Sequence, residues 1–147
     1  MRTILIAVIN SALAFVVWGQ PECDTVSLSN MTAEDGKTTI HKITEAEAQR
    51  LPEWDPESGK PAPLPLDVAI KKGKEWLKKK NPKMDDFKVR SISLEKVGFG
   101  SIPNRWFYKI EFDPVLGDQR LFGPWFAAVV LMDGTVVEPI VREPGKH

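Results

Sequence analysis

The sequence is poor in the side chains from which small chemical sites are built. Of its 147 residues one is Cys, two are His and one is Tyr. A single Cys closes no internal disulfide and cannot furnish a Cys-rich zinc site. Two His, one of them the C-terminal His147, leave little for general-base catalysis or metal ligation. No metal and no other cofactor is expected. Net charge is missing as well, since 20 Lys and Arg cancel 20 Asp and Glu. That balance excludes a general nucleic-acid binder, which carries a basic excess. Apolar residues, in contrast, make up 42% of the chain, with five Trp and seven Phe. This is too much for a disordered chain.

The first 19 residues read as a secretory signal. Arg2 is the positive start, and the stretch from Thr3 to Trp18 is apolar except near Asn10 and Ser11. Val17, Trp18 and Gly19 place small residues where a signal peptidase reads, so cleavage is expected after Gly19, with Ala12-Leu13-Ala14 a second candidate site. The competing reading, an uncleaved anchor, would need roughly 17–25 apolar residues and a basic stop-transfer cluster. No such cluster follows. The mature chain would then be secreted or periplasmic, without a stable membrane span. Cys23 is preceded by Gln20-Pro21-Glu22, not by the small and aliphatic residues of a lipid-attachment site, so it is read as a free thiol. Asn30-Met31-Thr32 matches a glycosylation sequon, of consequence only in a eukaryotic source. Removing residues 1–19 leaves 128, a single-domain length that can bury roughly two-thirds of its unfolded surface.

Three stretches follow. Residues 20–51 read as a small hairpin and a short helix. Val26 and Leu28 alternate with polar residues, Asp35-Gly36 is turn chemistry, and 37–43 is rich in Thr and Ile. Thr44-Glu45-Ala46-Glu47 is a capping box that opens a helix over 45–51. Residues 52–65 hold five of the 12 Pro and form a linker, stiff and surface-lying, with Trp54 as the side chain that pins it to the domain. Residues 66–147 carry the strongest pattern. Leu66, Ala69, Ile70, Gly73, Trp76 and Leu77 form one helical stripe that Asn81-Pro82 ends. Strand composition spans 87–97, with an apolar phase shift between Val89 and Ile92 that predicts a bulge. Over 105–113 Trp106, Tyr108, Ile110 and Phe112 alternate with Phe107, Lys109 and Glu111. A loop is expected over 114–124. The apolar run 125–132 is a central strand, Asp133-Gly134 a turn, and 135–137 a short return strand that Pro139 closes. The fold class is therefore α+β: one amphipathic helix packed on an antiparallel β-meander of about four strands, preceded by the N-terminal hairpin and short helix.

Three features of residues 65–140 resemble the PepSY-like group of small exported domains: the helix opening Leu66-Asp67-Val68-Ala69-Ile70, the aromatic strand Trp106-Phe107-Tyr108-Lys109-Ile110-Glu111-Phe112, and the final hairpin Val129 to Val137. That hairpin reads Met132-Asp133-Gly134-Thr135 where the group's usually reads Asp-Ala-x-Thr-Gly, which marks a divergent branch. The resemblance implies a non-catalytic binding or regulatory module whose partner is an exported protein or a peptidase. Cystatins share a similar helix-on-sheet plan, but their Gln-x-Val-x-Gly loop is absent; Val97-Gly98-Phe99-Gly100 is only faintly similar to it.

Charge is unevenly distributed along the chain. Between residues 70 and 90 nine Lys and Arg face three acids, a local excess of six positive charges; over 21–69 ten acids face four bases, an excess of six negative charges. Lys71, Lys78 and Lys79 are candidate contacts for an anionic partner on this helix; a solvated face with cations at its C-terminal end is the plainer reading. The acidic segment could lie against it. Glu111 and Asp113, two apart on one strand face, are the only candidate acid/base pair, with nothing catalytic beside them. His41 reads as a surface or half-buried residue. Alternation cannot bury Trp106 and Phe107 on one face, so a patch around Phe107 and Phe126 is either an exposed partner surface or is covered by the hairpin or linker. The chain is expected to be an exported, non-enzymatic binding module. An inhibitor or intramolecular chaperone of a peptidase, acting through the sheet face or residues 98–104, is the second reading, and a small hydrolase using Glu111 and Asp113 the third.

Overall fold

The computed structural model describes residues 24–98, 102–121 and 126–145. The signal-like segment and Cys23 lie outside the described residues, as do Phe99, Phe122 and Trp125. Strands β1 (Thr25–Thr32) and β2 (Thr38–Thr44) form the hairpin and run into helix α1 (Glu45–Arg50). Helix α2 (Leu66–Lys80) follows the linker, and then come β3 (Asp86–Lys96), β4 (Trp106–Leu116), β5 (Gln119–Arg120), β6 (Phe126–Leu131) and β7 (Ile140–Arg142). The mixed α+β class is as expected. Among the described residues no helix is long and apolar enough to cross a membrane.

A four-stranded antiparallel sheet is centred on β4, which pairs with β3 along one side and with β6 and then β5 along the other. The bulge falls where the phase shift places it: Val89 faces Phe112 and Ser91 faces Glu111, leaving Arg90 as the extra residue. The loop expected from residue 114 begins later. β4 continues through Pro114 to Leu116 because its pairing changes hands there. Beyond Phe112 the β6 ladder has ended, and the Pro114 carbonyl accepts from the Leu121 amide at 2.9 Å beyond the two-residue β5 hairpin. A proline is tolerated at such an edge, where a missing amide leaves no central ladder bond unmade. The return strand over 135–137 reduces to one bridge, Val130 to Val136, flanked by two backbone hydrogen bonds.

One face of this sheet is covered by α2. Its buried side chains are Ala69, Gly73 and Leu77, and they close over Phe87, Tyr108, Ile110, Phe112, Ala128 and Val130. Gly73 permits the close approach. A Cβ there would sit 3.2 Å from the Ala128 methyl and 3.3 Å from the Phe112 ring. Asp67 lies in the first turn and Lys78, Lys79 and Lys80 in the last, each complementing the helix dipole.

The other face is covered by the hairpin and α1. Leu28, Ile43, Ala48 and Leu51 pack with Val97, Phe107, Val129, Leu131 and Val137 in a second core. The capping box forms as its spacing dictates: Thr44 Oγ1 accepts from the Glu47 amide at 3.2 Å and the Thr44 amide donates to Glu47 Oε2 at 2.8 Å. The C-terminal segment departs from expectation. After Pro139 the chain does not leave the structure; β7 pairs antiparallel with β2, Ile40 facing Ile140, and turns the hairpin into a three-stranded sheet. The linker, which contains one 3-10 turn at Pro56–Ser58, is tied down by the Trp54 amide to the Asn104 carbonyl (2.9 Å), by Glu53 to Arg105 (2.9 Å) and by the Tyr108 hydroxyl to the Leu64 carbonyl (3.2 Å). Trp54 meets Trp106 edge-on at 6.4 Å, as its role as a pin requires.

Candidate functional site

The strict alternation of β4 sends Phe107 and Phe126 to different layers, so the patch expected around them does not exist as one surface. Phe107 faces Leu131 across the ladder and is 1% exposed beneath the hairpin. Its companion, Phe126, faces Phe112 on the α2 side, half-buried and edge-on to Phe87 at 5.6 Å. Two layers cover the sheet, and the covering agent on the Phe107 side is the hairpin with α1, not the linker. Sequence alternation separates the two faces of a strand but does not reveal how many of them are covered.

The basic helix is partly self-neutralised. Lys71 approaches Glu75 at 4.0 Å, and Lys78 approaches Asp86 at 3.6 Å. Lys74 and Lys88 also gather on Asp86, at 3.9 and 3.3 Å. A hydrogen bond from the Phe87 amide, and then these lysines, hold the Asp86 carboxyl below its ordinary range. Lys80 reaches Glu138 at 2.9 Å, beside the hydrogen bond that Trp76 Nε1 donates to the same carboxylate at 2.8 Å. Lys79 is exposed in the last turn. The shallow cleft of about 340 Å³ beside Lys71, Lys74 and Lys78 has Asp67, Glu75 and Asp86 in its walls, so it presents both signs of charge. The acidic N-terminal segment does not lie on this helix. Its hairpin and α1 occupy the opposite face of the sheet, its linker sets Trp54 and Leu64 into the α2-side core, and among the described residues no ion pair joins an α2 lysine to residues 24–65.

The two strand carboxylates are both engaged in structure. Glu111 accepts from Ser91 Oγ at 2.7 Å and pairs with Lys109 at 3.6 Å. Asp113 is 2% exposed; Arg120 donates to it through Nε at 2.8 Å and through a second guanidinium nitrogen, with Arg90 at 3.7 Å. Such an arginine-bound carboxylate fixes the β5 hairpin against β4. His41 differs from the sequence reading more sharply. It is 1% exposed, between the two sheets, and among the described residues neither ring nitrogen has a hydrogen-bond partner. Burial, and then the Lys109 ammonium across the layer, push its pKa below the ordinary histidine value. Among the described residues no group of three or more His, Cys, Asp or Glu could hold a metal ion.

A second cleft, of about 500 Å³, lies between α1 and the chain after β6, lined by Lys42, Glu47, Arg50, Asp133, Thr135 and Glu138 among others. It is shallow and mixed in charge.

The feature that stands apart is the outer edge of β3. This strand of 11 residues pairs with β4 on one side and, among the described residues, with nothing on the other. Its five central residues, Arg90, Ser91, Ile92, Ser93 and Leu94, are all exposed, so neither α2 nor the hairpin layer extends over it. Ile92 and Leu94 stand on the α2 side, opposite Ile110 and Tyr108. They are two of the few large apolar side chains exposed in the described chain, at 38% and 37%. Lys88 and Lys96 flank them. The sequence reading missed this edge. Ser91-Ile92-Ser93-Leu94 alternates as any half-buried strand does, and alternation cannot say whether a strand is central or last.

Comparison of the chain with family models, with curated proteins and with solved structures finds no match.

Proposed function

We propose that this chain is an exported, non-catalytic binding module that takes up an extended segment of a partner protein along the open edge of β3. The observation that carries the reading is the row of five exposed residues on a long, singly paired strand. An unpaired strand edge offers main-chain donors and acceptors at a fixed spacing, and side chains alternating beside it supply selectivity. Ile92 and Leu94 give such a segment apolar contacts every second residue, and Lys88 and Lys96 favour acidic residues at its ends. Export rests on the composition of residues 1–19, and the likeness to PepSY-like domains points toward the same class of role.

Panning a displayed library of random peptides against the purified protein tests the reading. Selected peptides are expected to slow amide exchange over residues 90–94. Leu94→Asp, exposed and so compatible with folding, is expected to weaken them at least tenfold. Peptides that protect another region, or that bind the Leu94→Asp protein undiminished, would remove β3 as the binding edge.

A further inference from the structure

The edge of β3 is nearly its own complement. Written in one direction it runs Lys88, Val89, Arg90, Ser91, Ile92, Ser93, Leu94, Glu95. Arg90 is the bulged residue, which the ladder with β4 skips although its guanidinium reaches Asp113 at 3.7 Å. With it set aside, an antiparallel strand of the same sequence centred on Ile92 matches at every position. Lys88 meets Glu95, Val89 meets Leu94, Ser91 meets Ser93, and Ile92 meets Ile92. The faces agree as well. Lys88, Ser91, Ser93 and Glu95 lie on the hairpin side, opposite Asp113, Glu111, Lys109 and Phe107, whereas Val89, Ile92 and Leu94 lie on the α2 side, opposite Phe112, Ile110 and Tyr108. Opposed residues of an antiparallel pair share a face. From Lys88 to Glu95 every contact in this register is therefore like with like or charge with opposite charge, and without the bulge the faces would fall out of phase.

We infer that the occupant of the β3 edge is a second copy of this chain. The inference rests on the reading of β3 as a binding edge and names its partner. A two-fold axis passes through Ile92, so the interface is isologous and closes at two copies. The two four-stranded sheets become one continuous sheet, which removes the exposed edge that a soluble protein otherwise has to protect. Four apolar side chains, Val89 and Leu94 from each copy, flank the two Ile92 residues on the α2 side. Two Lys88–Glu95 pairs close the hairpin side, and because Lys88 is exposed and Glu95 only half-buried they set register and partner choice more than affinity.

Charge exchange tests this directly, with molar mass measured by analytical ultracentrifugation over a concentration series. The unaltered protein is expected to show a monomer–dimer equilibrium. Lys88→Glu alone sets Glu against Glu, and Glu95→Lys alone sets Lys against Lys; each is expected to raise the dissociation constant tenfold or more. The double variant Lys88→Glu with Glu95→Lys restores both pairs and is expected to dimerise as the unaltered protein does. An equimolar mixture of the two single variants is expected to form a heterodimer. Circular dichroism of each variant separates loss of dimer from loss of fold. A protein that stays monomeric throughout the series, or single variants that dimerise unchanged, would overturn the second copy as occupant. Should library peptides still protect residues 90–94 in that case, the binding edge stands and only its partner was misnamed; protection absent as well would end both.

Discussion

His41 carries an imidazole into the buried layer between the sheets, where neither nitrogen has a hydrogen-bond partner among the described residues. Burial and the facing Lys109 both oppose its protonation, so its pKa in the folded protein lies below the ordinary value of 6.5. The sign follows by linkage. Below pH 6.5 the unfolded chain takes up a proton that the folded chain resists, so stability is full above that range and is lost as pH falls toward the lowered value. The groups facing His41 across the layer are Lys109 and, through its ion pair, Glu111, while Ser29 is its neighbour on β1. Urea midpoints for the unaltered protein are expected to fall between pH 7 and pH 5. His41→Leu, which removes the titrating group and the unsatisfied nitrogens together, should flatten that slope. An equal slope in both proteins would assign it elsewhere. Gly73 is the other residue whose environment decides its identity. A large side chain there would drive into Phe112 and Ala128, and Gly73→Leu is expected to cost about 1–3 kcal/mol by overpacking, read as a lower urea midpoint.

Among the elements, those governed by local chemistry were legible in the sequence and those governed by distant pairing were not. The capping box at Thr44, the apolar stripe of α2 and the bulge after Val89 each depend on a few neighbouring residues, and each stands where its spacing placed it, except that Leu66 at the start of the stripe is exposed because the covered part of the sheet begins beyond it. The extension of β4 through Pro114 depends on a ladder partner reached only after the chain turns at Gly117. Likewise, the three residues of β7 have no pattern of their own, and only pairing with β2 makes them a strand. The open edge of β3 was illegible for the same reason. Ser91 and Ile92 look like members of any strand, and their exposure is set by where the two covering layers stop. The Phe107 patch failed because the layer that buries it comes from residues far away in the chain.

At the scale of the whole molecule, two cores share one sheet. Both the α2 layer and the hairpin layer are built on the alternating side chains of β4 and β6, so neither is complete without that sheet. Their stabilities should be coupled. Phe107→Ala, which empties a site in the hairpin-side core, is expected to cost about 3–5 kcal/mol. Tryptophan fluorescence, to which Trp54, Trp76 and Trp106 contribute from the α2 side, should then shift its urea midpoint together with far-ultraviolet circular dichroism. Separate midpoints for the two signals would show two independent units.

β7 lends this arrangement a direction in time. Ile40 and Ile140 are neighbours in space and 100 residues apart in sequence. Gly36, at the hairpin turn, comes so near Pro144 that a Cβ there would lie 3.2 Å from its ring. A chain that emerges N-terminus first therefore carries its first hairpin without its third strand until Arg142 has appeared. Contacts of such long range also slow folding once the chain is free. The hairpin sheet therefore reaches its full width only late in synthesis, whatever the order in which the two cores otherwise assemble.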